Sequence, residues 1–243
     1  MWPKITPNYS PNFSLPKRIK KNIKFIIIHY TGMINELSVI KRLCDEKTKV
    51  SAHYFIKKNG EIINLIPDLY EAWHAGKSSW KEIKSLNKNS LGIEIQNQGH
   101  EHKYENFSSK QISSLKRLLK ILIKTYNINL NNILGHSDVA PERKKDPGER
   151  FPWKNLAKVK LAKWHNLNEK KIRINRLRKL DKIEERKFLR NLYLIGYKKI
   201  VKFNYTKNKK FLFKAFQRRF RQSLVNGKSD HECLIISKSL IKS

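Results

Sequence analysis

The sequence predicts an α/β fold: a mixed central β-sheet flanked by helices, followed by a small all-α C-terminal region. Three observations carry that expectation. Ile23 to His29 and Leu91 to Gln96 are apolar without alternation, the pattern of strands covered on both faces. Two segments, around 37–44 and 112–122, repeat apolar residues at helical spacing. After Trp153 the chain turns polar and basic before three further amphipathic stretches.

The elements follow in order. Residues 1–21 carry Pro3, Pro7, Pro11 and Pro16 and read as an irregular N-terminal arm. The Ile23 to His29 strand leads through Thr31-Gly32 into a helix striped by Leu37, Ile40, Leu43 and Cys44. Ala52 to Lys57 and Glu61 to Ile66 flank Asn59-Gly60, the signal of a two-residue hairpin turn. Leu91 to Gln96 is the second buried strand. Ser108 can cap a helix whose Ile112, Leu115, Leu119 and Leu122 form one stripe. Ile133-Leu134 then runs into a loop at His136. Residues 22–157 are therefore expected to form one α/β domain, which the resemblance below implies is the catalytic one. Residues 158–182 read as a basic linker, and 183–243 as a small helical domain. Its helices are expected over Phe188 to Tyr197, Lys210 to Phe220 and Asp230 to Ile241, with a turn at Asn226-Gly227. Phe213, Phe216, Phe220 and Leu224 can fill its core.

Composition narrows the classes. The chain has 243 residues, with 53 Lys and Arg against 20 Asp and Glu. From Lys158 onward there are 26 basic and 6 acidic residues, a net +20, against a net +13 before it. Such a field attracts polyanions, although a chain this rich in Lys, Ile and Asn can owe its charge to genome composition. No helix-turn-helix, zinc-finger or RNP pattern is present, so no specific nucleic-acid partner is expected. No apolar run approaches the ~20 residues of a membrane span. Met1 to Lys21 lacks an apolar core, which predicts a cytoplasmic location, with the periplasm or cell envelope as the alternative. Cys44 and Cys233 are too few for a disulfide framework and fit a reducing compartment.

Two distant segments hold the chemistry. Phe25-Ile-Ile-Ile-His29-Tyr-Thr ends an apolar strand in an imidazole. Gly135-His136-Ser-Asp138-Val-Ala-Pro-Glu-Arg143-Lys144-Lys145-Asp146-Pro-Gly supplies a second imidazole and two aspartates. Two His and one Asp form a ligand set for catalytic zinc, leaving a fourth position open. A lone strand-end histidine is more often a satisfied core residue, so His29 counts only together with the second segment. Glu94 interrupts the buried run Leu91-Gly92-Ile93-Glu94-Ile95. A carboxylate there costs free energy unless paired or functional. It is a candidate general base, or else an edge glutamate paired with one of many lysines.

The blocks Ile28-His29-Tyr30-Thr31-Gly32, Ser51-Ala52-His53-Tyr54, Trp73-His74-Ala75-Gly76, Leu91 to Ile95 and His136 to Pro147 occur in order between about Pro11 and Trp153. Together they resemble the type 2 N-acetylmuramoyl-L-alanine amidases. These zinc hydrolases cut the bond between muramic acid and the stem peptide, and share their fold with peptidoglycan recognition proteins. The resemblance implies one Zn2+ per chain on His29, His136 and Asp146. Asp146 is preferred to Asp138 because the family's ligand precedes Pro-Gly. It also implies Glu94 as base and Lys144, with Lys145 the near competitor, as the cation at the oxyanion. Tyr30, Trp73, His74, Asn97 and Arg143 would contact substrate. His53 would be a structural residue or a partner near the site, while His100, His102, His165 and His231 would lie on the surface. The implied partner is peptidoglycan or an (anhydro)muropeptide. Non-catalytic recognition proteins of this fold lose a zinc ligand, whereas this chain keeps all three. The tail resembles the three-helix peptidoglycan-binding module through Ala215-Phe216-Gln217-Arg218 and Asn226-Gly227. It departs from that pattern in its Lys/Arg content and a missing second glycine.

Overall fold

A computed structural model describes residues 3–200 and 204–242. Its strands are β1 (Ile5–Pro7), β2 (Phe13–Ser14), β3 (Phe25–Tyr30), β4 (Tyr54–Ile56) and β5 (Ile62–Asn64), then β6 (Glu71–Ala72), β7 (Ser79–Trp80), β8 (Ile83–Lys84), β9 (Ser90–Ile95) and β10 (Ile133–Gly135). Six of them form one mixed sheet in the order β1-β5-β4-β9-β3-β10. The two unbroken apolar runs, β3 and β9, lie side by side and parallel in the middle of it, where both faces must be covered.

Strand periodicity divides the core. Ile26 and Ile28 of β3 point to one face with Leu91, Ile93 and Ile95 of β9. Helix α2 (Ser109–Tyr126), which follows α1 (Glu36–Cys44), covers that face with Leu115, Leu118, Leu119 and Leu122. Ser108 caps α2 in a capping box with Gln111, as its position in the sequence suggests. Phe25 and Ile27 point to the opposite face and meet Leu134, Val139 and side chains from the C-terminal helices.

The structure departs from the sequence expectations at five places. The N-terminal arm is not wholly irregular: β1 pairs in parallel with β5 and closes one sheet edge, the position where Pro7 is tolerated because no neighbour needs its missing N–H. The hairpin loop has three residues, not two. The Lys57 N–H donates to the Glu61 carbonyl and the Gly60 N–H to the Lys57 carbonyl. Gly60 at φ +87° then supplies the left-handed residue that such loops need. In α1 the buried stripe is Val39 and Leu43, and Leu37 stands exposed. His136 opens a one-turn helix, α3 (His136–Val139), instead of a loop.

Residues 158–182 are the fifth departure. After α4 (Trp153–Ala157), Leu161 and Ala162 join the core beneath α2, and α5 (Glu169–Arg173) buries Ile172 on the opposite side. The segment is packed because its few apolar residues find both cores. Helices α6 (Lys182–Ile195), α7 (Tyr205–Phe220) and α8 (His231–Lys242) then bring Phe188, Leu192, Phe213, Phe216 and Ile236 together. Those residues share one core with Phe25, Ile27 and Leu134 of the sheet. A buried ion pair joins the same parts: Arg219 donates to Asp138 Oδ2 at 2.8 Å and to the Ile133 carbonyl at 2.8 Å. The Tyr197 hydroxyl donates to Asp138 Oδ1 at 2.8 Å. Among the described residues no helix is long and apolar enough to cross a membrane.

Candidate active site

The strand register decides which side chains meet. His29 pairs with Glu94, Ile27 with Gly92 and Phe25 with Ser90 across β3 and β9. In-register residues on parallel strands share a face, so Ser90, Gly92 and Glu94 line up beside His29. This is the face that the C-terminal helices cover farther back. At the carboxyl ends of the strands it opens into a cleft of about 310 Å³, the usual position of a ligand site in open α/β sheets.

Three donor atoms converge at the floor of that cleft. His29 Nδ1 lies 2.9 Å from His136 Nδ1 and 3.1 Å from Asp146 Oδ2, and His136 Nδ1 lies 3.0 Å from the same oxygen. All three residues are buried. The three atoms are close enough together that one ion could reach all of them at about 2.0–2.1 Å, the bond lengths zinc makes to such ligands. The residues fit a zinc ion, and the side facing the cleft stays open. Asp138 is turned away toward Gly135, Tyr197 and Arg219, which removes it as the alternative ligand.

The electrostatics suit a cation. Burial, reinforced by the neighbouring His136, lowers His29 to about 4, so it is neutral at pH 7. Burial alone would raise Asp146, but the two adjacent imidazoles, His136 foremost, outweigh it and hold the carboxyl well below its ordinary range. Glu94 Oε2 is buried and makes no hydrogen bond among the described residues. Burial first, and the nearby Asp146 second, raise Glu94 to about 8, while Lys144 and Arg42 pull the other way.

The remaining expected site residues divide. Tyr30, Trp73, Arg143 and Lys144 line the cleft. Trp73 is fixed by its indole N–H, which donates to Ser14 Oγ at 2.8 Å. Lys144 makes no side-chain hydrogen bond or ion pair among the described residues, whereas Lys145 turns outward to Glu101 at 2.8 Å. Arg143 is partly spent: its guanidinium donates to the Lys77 carbonyl at 2.9 and 3.0 Å and also to the Ala75 carbonyl.

Two residues expected at the substrate do other work. Asn97 is buried. Its amide donates to the Glu105 carbonyl at 2.9 Å and its oxygen accepts from the Gly99 N–H, so it braces a loop. His74 reaches the cleft wall, but both ring nitrogens are engaged, Nδ1 with His29 Nε2 at 3.0 Å and Nε2 with Ser90 Oγ at 3.1 Å. His53 is structural, with Nδ1 accepting from the Gly92 N–H and Nε2 facing the Tyr70 carbonyl. Of the four histidines expected on the surface only His102 is exposed, and His231 is half-buried beside Glu184 at 3.2 Å. His100 lies between the Tyr30 hydroxyl at 2.8 Å and Glu149 at 3.1 Å, and His165 is buried against Trp164. Sequence reasoning also missed Arg42 and Ser90. Ser90 carried a signal in the Ser90-Leu-Gly92-Ile-Glu94 alternation, which puts three small or polar residues on one strand face.

A mixed sheet with a His-His-Asp cluster that could hold a metal ion, and a buried carboxylate at its strand ends, has the parts of a hydrolase. Residues 19–149 match the N-acetylmuramoyl-L-alanine amidase family, and this chain belongs to it. It is 33% identical to the N-acetylmuramoyl-L-alanine amidase AmiD of Escherichia coli, over 90% of this chain and 83% of that protein. It is 38% identical to the 1,6-anhydro-N-acetylmuramyl-L-alanine amidase AmpD of Citrobacter freundii, over 43% of this chain and 54% of that one. The structure of E. coli AmiD with anhydro-N-acetylmuramic acid-L-Ala-D-gamma-Glu-L-Lys superposes with a TM-score of 0.80 at 30% identity, covering 94% and 92% of the two chains. AmpDh3 of Pseudomonas aeruginosa, in complex with an anhydromuramic pentapeptide, gives 0.78 at 28% identity and 96% of each chain.

Proposed function

We propose that this amidase cleaves the amide between N-acetylmuramic acid and L-alanine in anhydro-muropeptides, using one zinc held by His29, His136 and Asp146. The carrying observation is the buried convergence of those three donor atoms beside Glu94, a carboxylate with a bare oxygen. The choice of anhydro-muropeptides rests on the ligands bound to AmiD and AmpDh3.

Zinc, when bound, lowers the pKa of a water in its open position to about 7 and withdraws charge from the scissile carbonyl. The protein's own groups do the rest. Glu94 accepts a proton from the attacking water as the oxygen–carbon bond forms. It then delivers that proton to the alanine nitrogen as the carbon–nitrogen bond breaks. Lys144, with no competing partner nearby, offers its ammonium to the negative carbonyl oxygen. Tyr30 and Trp73 line the cleft that the sugar and peptide would enter, and Arg143 closes one wall through the Ala75 and Lys77 carbonyls.

The test combines metal analysis with product analysis. One zinc per chain and mass-spectrometric release of intact stem peptide from a defined anhydro-muropeptide are expected. Full hydrolysis after thorough chelation would refute the metal assignment. Cleavage of polymeric wall in preference to the soluble fragment would refute the substrate.

A further inference from the structure

We propose that the dipeptide His74-Ala75 orients both histidine ligands, with His74 and Ser90 acting as positioning residues that leave the His29 Nδ1 lone pair facing the metal. The inference rests on the zinc reading above. It follows from counting protons along a chain of contacts.

The Ser90 hydroxyl has one proton, and it goes to the Leu86 carbonyl at 2.6 Å. Ser90 Oγ must therefore accept at its other contact, 3.1 Å from His74 Nε2. A neutral imidazole carries one N–H, so His74 uses it there and its Nδ1 is an acceptor. At 3.0 Å, the proton that fills His74 Nδ1 comes from His29 Nε2. His29 Nδ1 is left bare. On the other ligand, His136 Nε2 lies 3.1 Å from the Ala75 carbonyl, which can only accept, and the nearby Arg143 Nη2, at 3.3 Å, already gives its two protons to the Ala75 and Lys77 carbonyls; His136 Nε2 is therefore the donor and His136 Nδ1 is bare too. Two lone pairs and a carboxylate oxygen then face one another with no proton among them, and only a cation satisfies that arrangement.

The chain provides for this relay. A Cβ on Gly92 would stand 2.4 Å from His74 Cγ, so any other residue there evicts the ring. The loop is tied at both ends: the Trp73 N–H donates to Ser51 Oγ at 2.9 Å and the Ala75 N–H to Asn87 Oδ1 at 2.7 Å. Both ligand orientations thus depend on adjacent residues of one anchored loop.

The experiment compares His74→Leu, His74→Gln and Ser90→Ala in the full chain. Zinc dissociation constants are measured by chelator competition, and ring tautomers by ¹⁵N NMR of the zinc-loaded protein. Outer partners of a ligand histidine typically change metal affinity by 10–100-fold. His74→Leu should weaken zinc binding by about that factor. Glutamine offers an acceptor and a donor at similar spacing and should stay within about threefold of wild type. Wild-type spectra should show His29 and His74 protonated at Nε2, and Ser90→Ala should blur the His74 assignment into a mixture. Unchanged affinity in His74→Leu, or glutamine as damaging as leucine, overturns the relay. If His74→Leu does not fold, a His74 protonated at Nδ1 in wild type overturns it equally. Failure of wild type to bind zinc at all would instead sink the reading on which the relay depends.

Discussion

The strand ends around His29 and the helical region from Lys182 onward bury polar groups for different ends. At the strand ends, His29, His136 and Asp146 are pressed within 3.1 Å of one another, and Glu94 Oε2 has no partner. None of that stabilises a fold by itself. In the helical region the buried charges are matched: Arg219 with Asp138, Arg221 with Asp230, and Arg176 with Glu232 at 2.6 and 2.9 Å. Buried donor atoms that converge on one open point mark chemistry, whereas buried charges that neutralise one another mark attachment. The difference also shows why the C-terminal region is no free appendage. Its helices finish the sheet face whose open end carries the site.

The sharpest way to break the comparison is to remove a site ligand. His136→Ala is expected to lose both bound metal and hydrolysis, by metal analysis and muropeptide assay, while the helical core keeps its far-UV circular dichroism. Activity surviving in that variant would place the chemistry elsewhere.

Glu94→Gln follows. It should retain zinc and lose at least ~100-fold in turnover, the scale of a general acid–base contribution. Wild-type turnover in this variant would make the bare carboxylate a structural curiosity and move the base to another residue.

On the attachment side, Arg219→Met leaves Asp138 buried with a missing counter-charge. Chemical denaturation should show a loss of about 3–5 kcal/mol, the cost of breaking a buried pair. Lys187→Met, exposed on α6, should change stability by no more than about 0.5 kcal/mol. Equal effects would mean that the helical region is not fastened through Asp138.

A milder effect comes from acid. Burial, with Arg18 nearby, lowers His53 to about 3, and burial lowers His29 to about 4. The unfolded chain takes up those protons near pH 6.5, while the folded chain resists until much lower pH. The folded state therefore loses the histidines' contribution as pH falls below about 6.5 toward 4, whereas Glu94, raised to about 8, acts the opposite way and loses its contribution as pH rises from about 4.5 toward 8. Melting of the metal-free Glu94→Gln variant, which lacks that opposing carboxyl, should show across pH 4–8 a plateau above pH 7 and a decline below. A melting temperature of that variant that rises on acidification would contradict neutral buried histidines.

Legibility followed the same division. β3 and β9 were readable because unbroken apolar runs have few other uses, and Glu94 because a carboxylate in such a run is expensive. The cluster was readable because imidazoles at strand ends pair with an Asp-Pro-Gly segment. His74 lines the cleft but is bonded to His29 and Ser90, and Asn97 braces a loop; a motif shows which residues gather, not which atoms are already taken. Arg219 and Asp138 lie 81 positions apart in a chain full of Lys and Arg, so no local pattern announces their pairing. The strand at Ile5–Pro7 is three residues long, too short for any period to emerge. Residues 158–182 looked like a linker because a few buried apolar side chains, Leu161, Ala162 and Ile172, are outnumbered by exposed cations.

The smallest expected effect concerns what the basic surface touches. Deleting the C-terminal helices would uncover Phe25, Ile27 and Leu134, so truncation cannot separate binding from folding. Charge neutralisation can. Lys182, Arg186, Lys187 and Arg190 stand exposed on α6, and changing all four to Gln leaves the shared core untouched. If the region holds polymeric wall through its net charge, the quadruple variant should bind purified peptidoglycan more weakly in a pull-down. Wild-type binding should itself fade as ionic strength passes ~0.15 M, where screening acts within about 8 Å. Turnover of a small soluble muropeptide should stay the same in both proteins, because none of the four residues lines the cleft. If wild type holds the wall undiminished at high salt and the variant matches it, charge is not the contact. A shape-specific saccharide pocket would then be the better account of the tail's resemblance to a peptidoglycan-binding module.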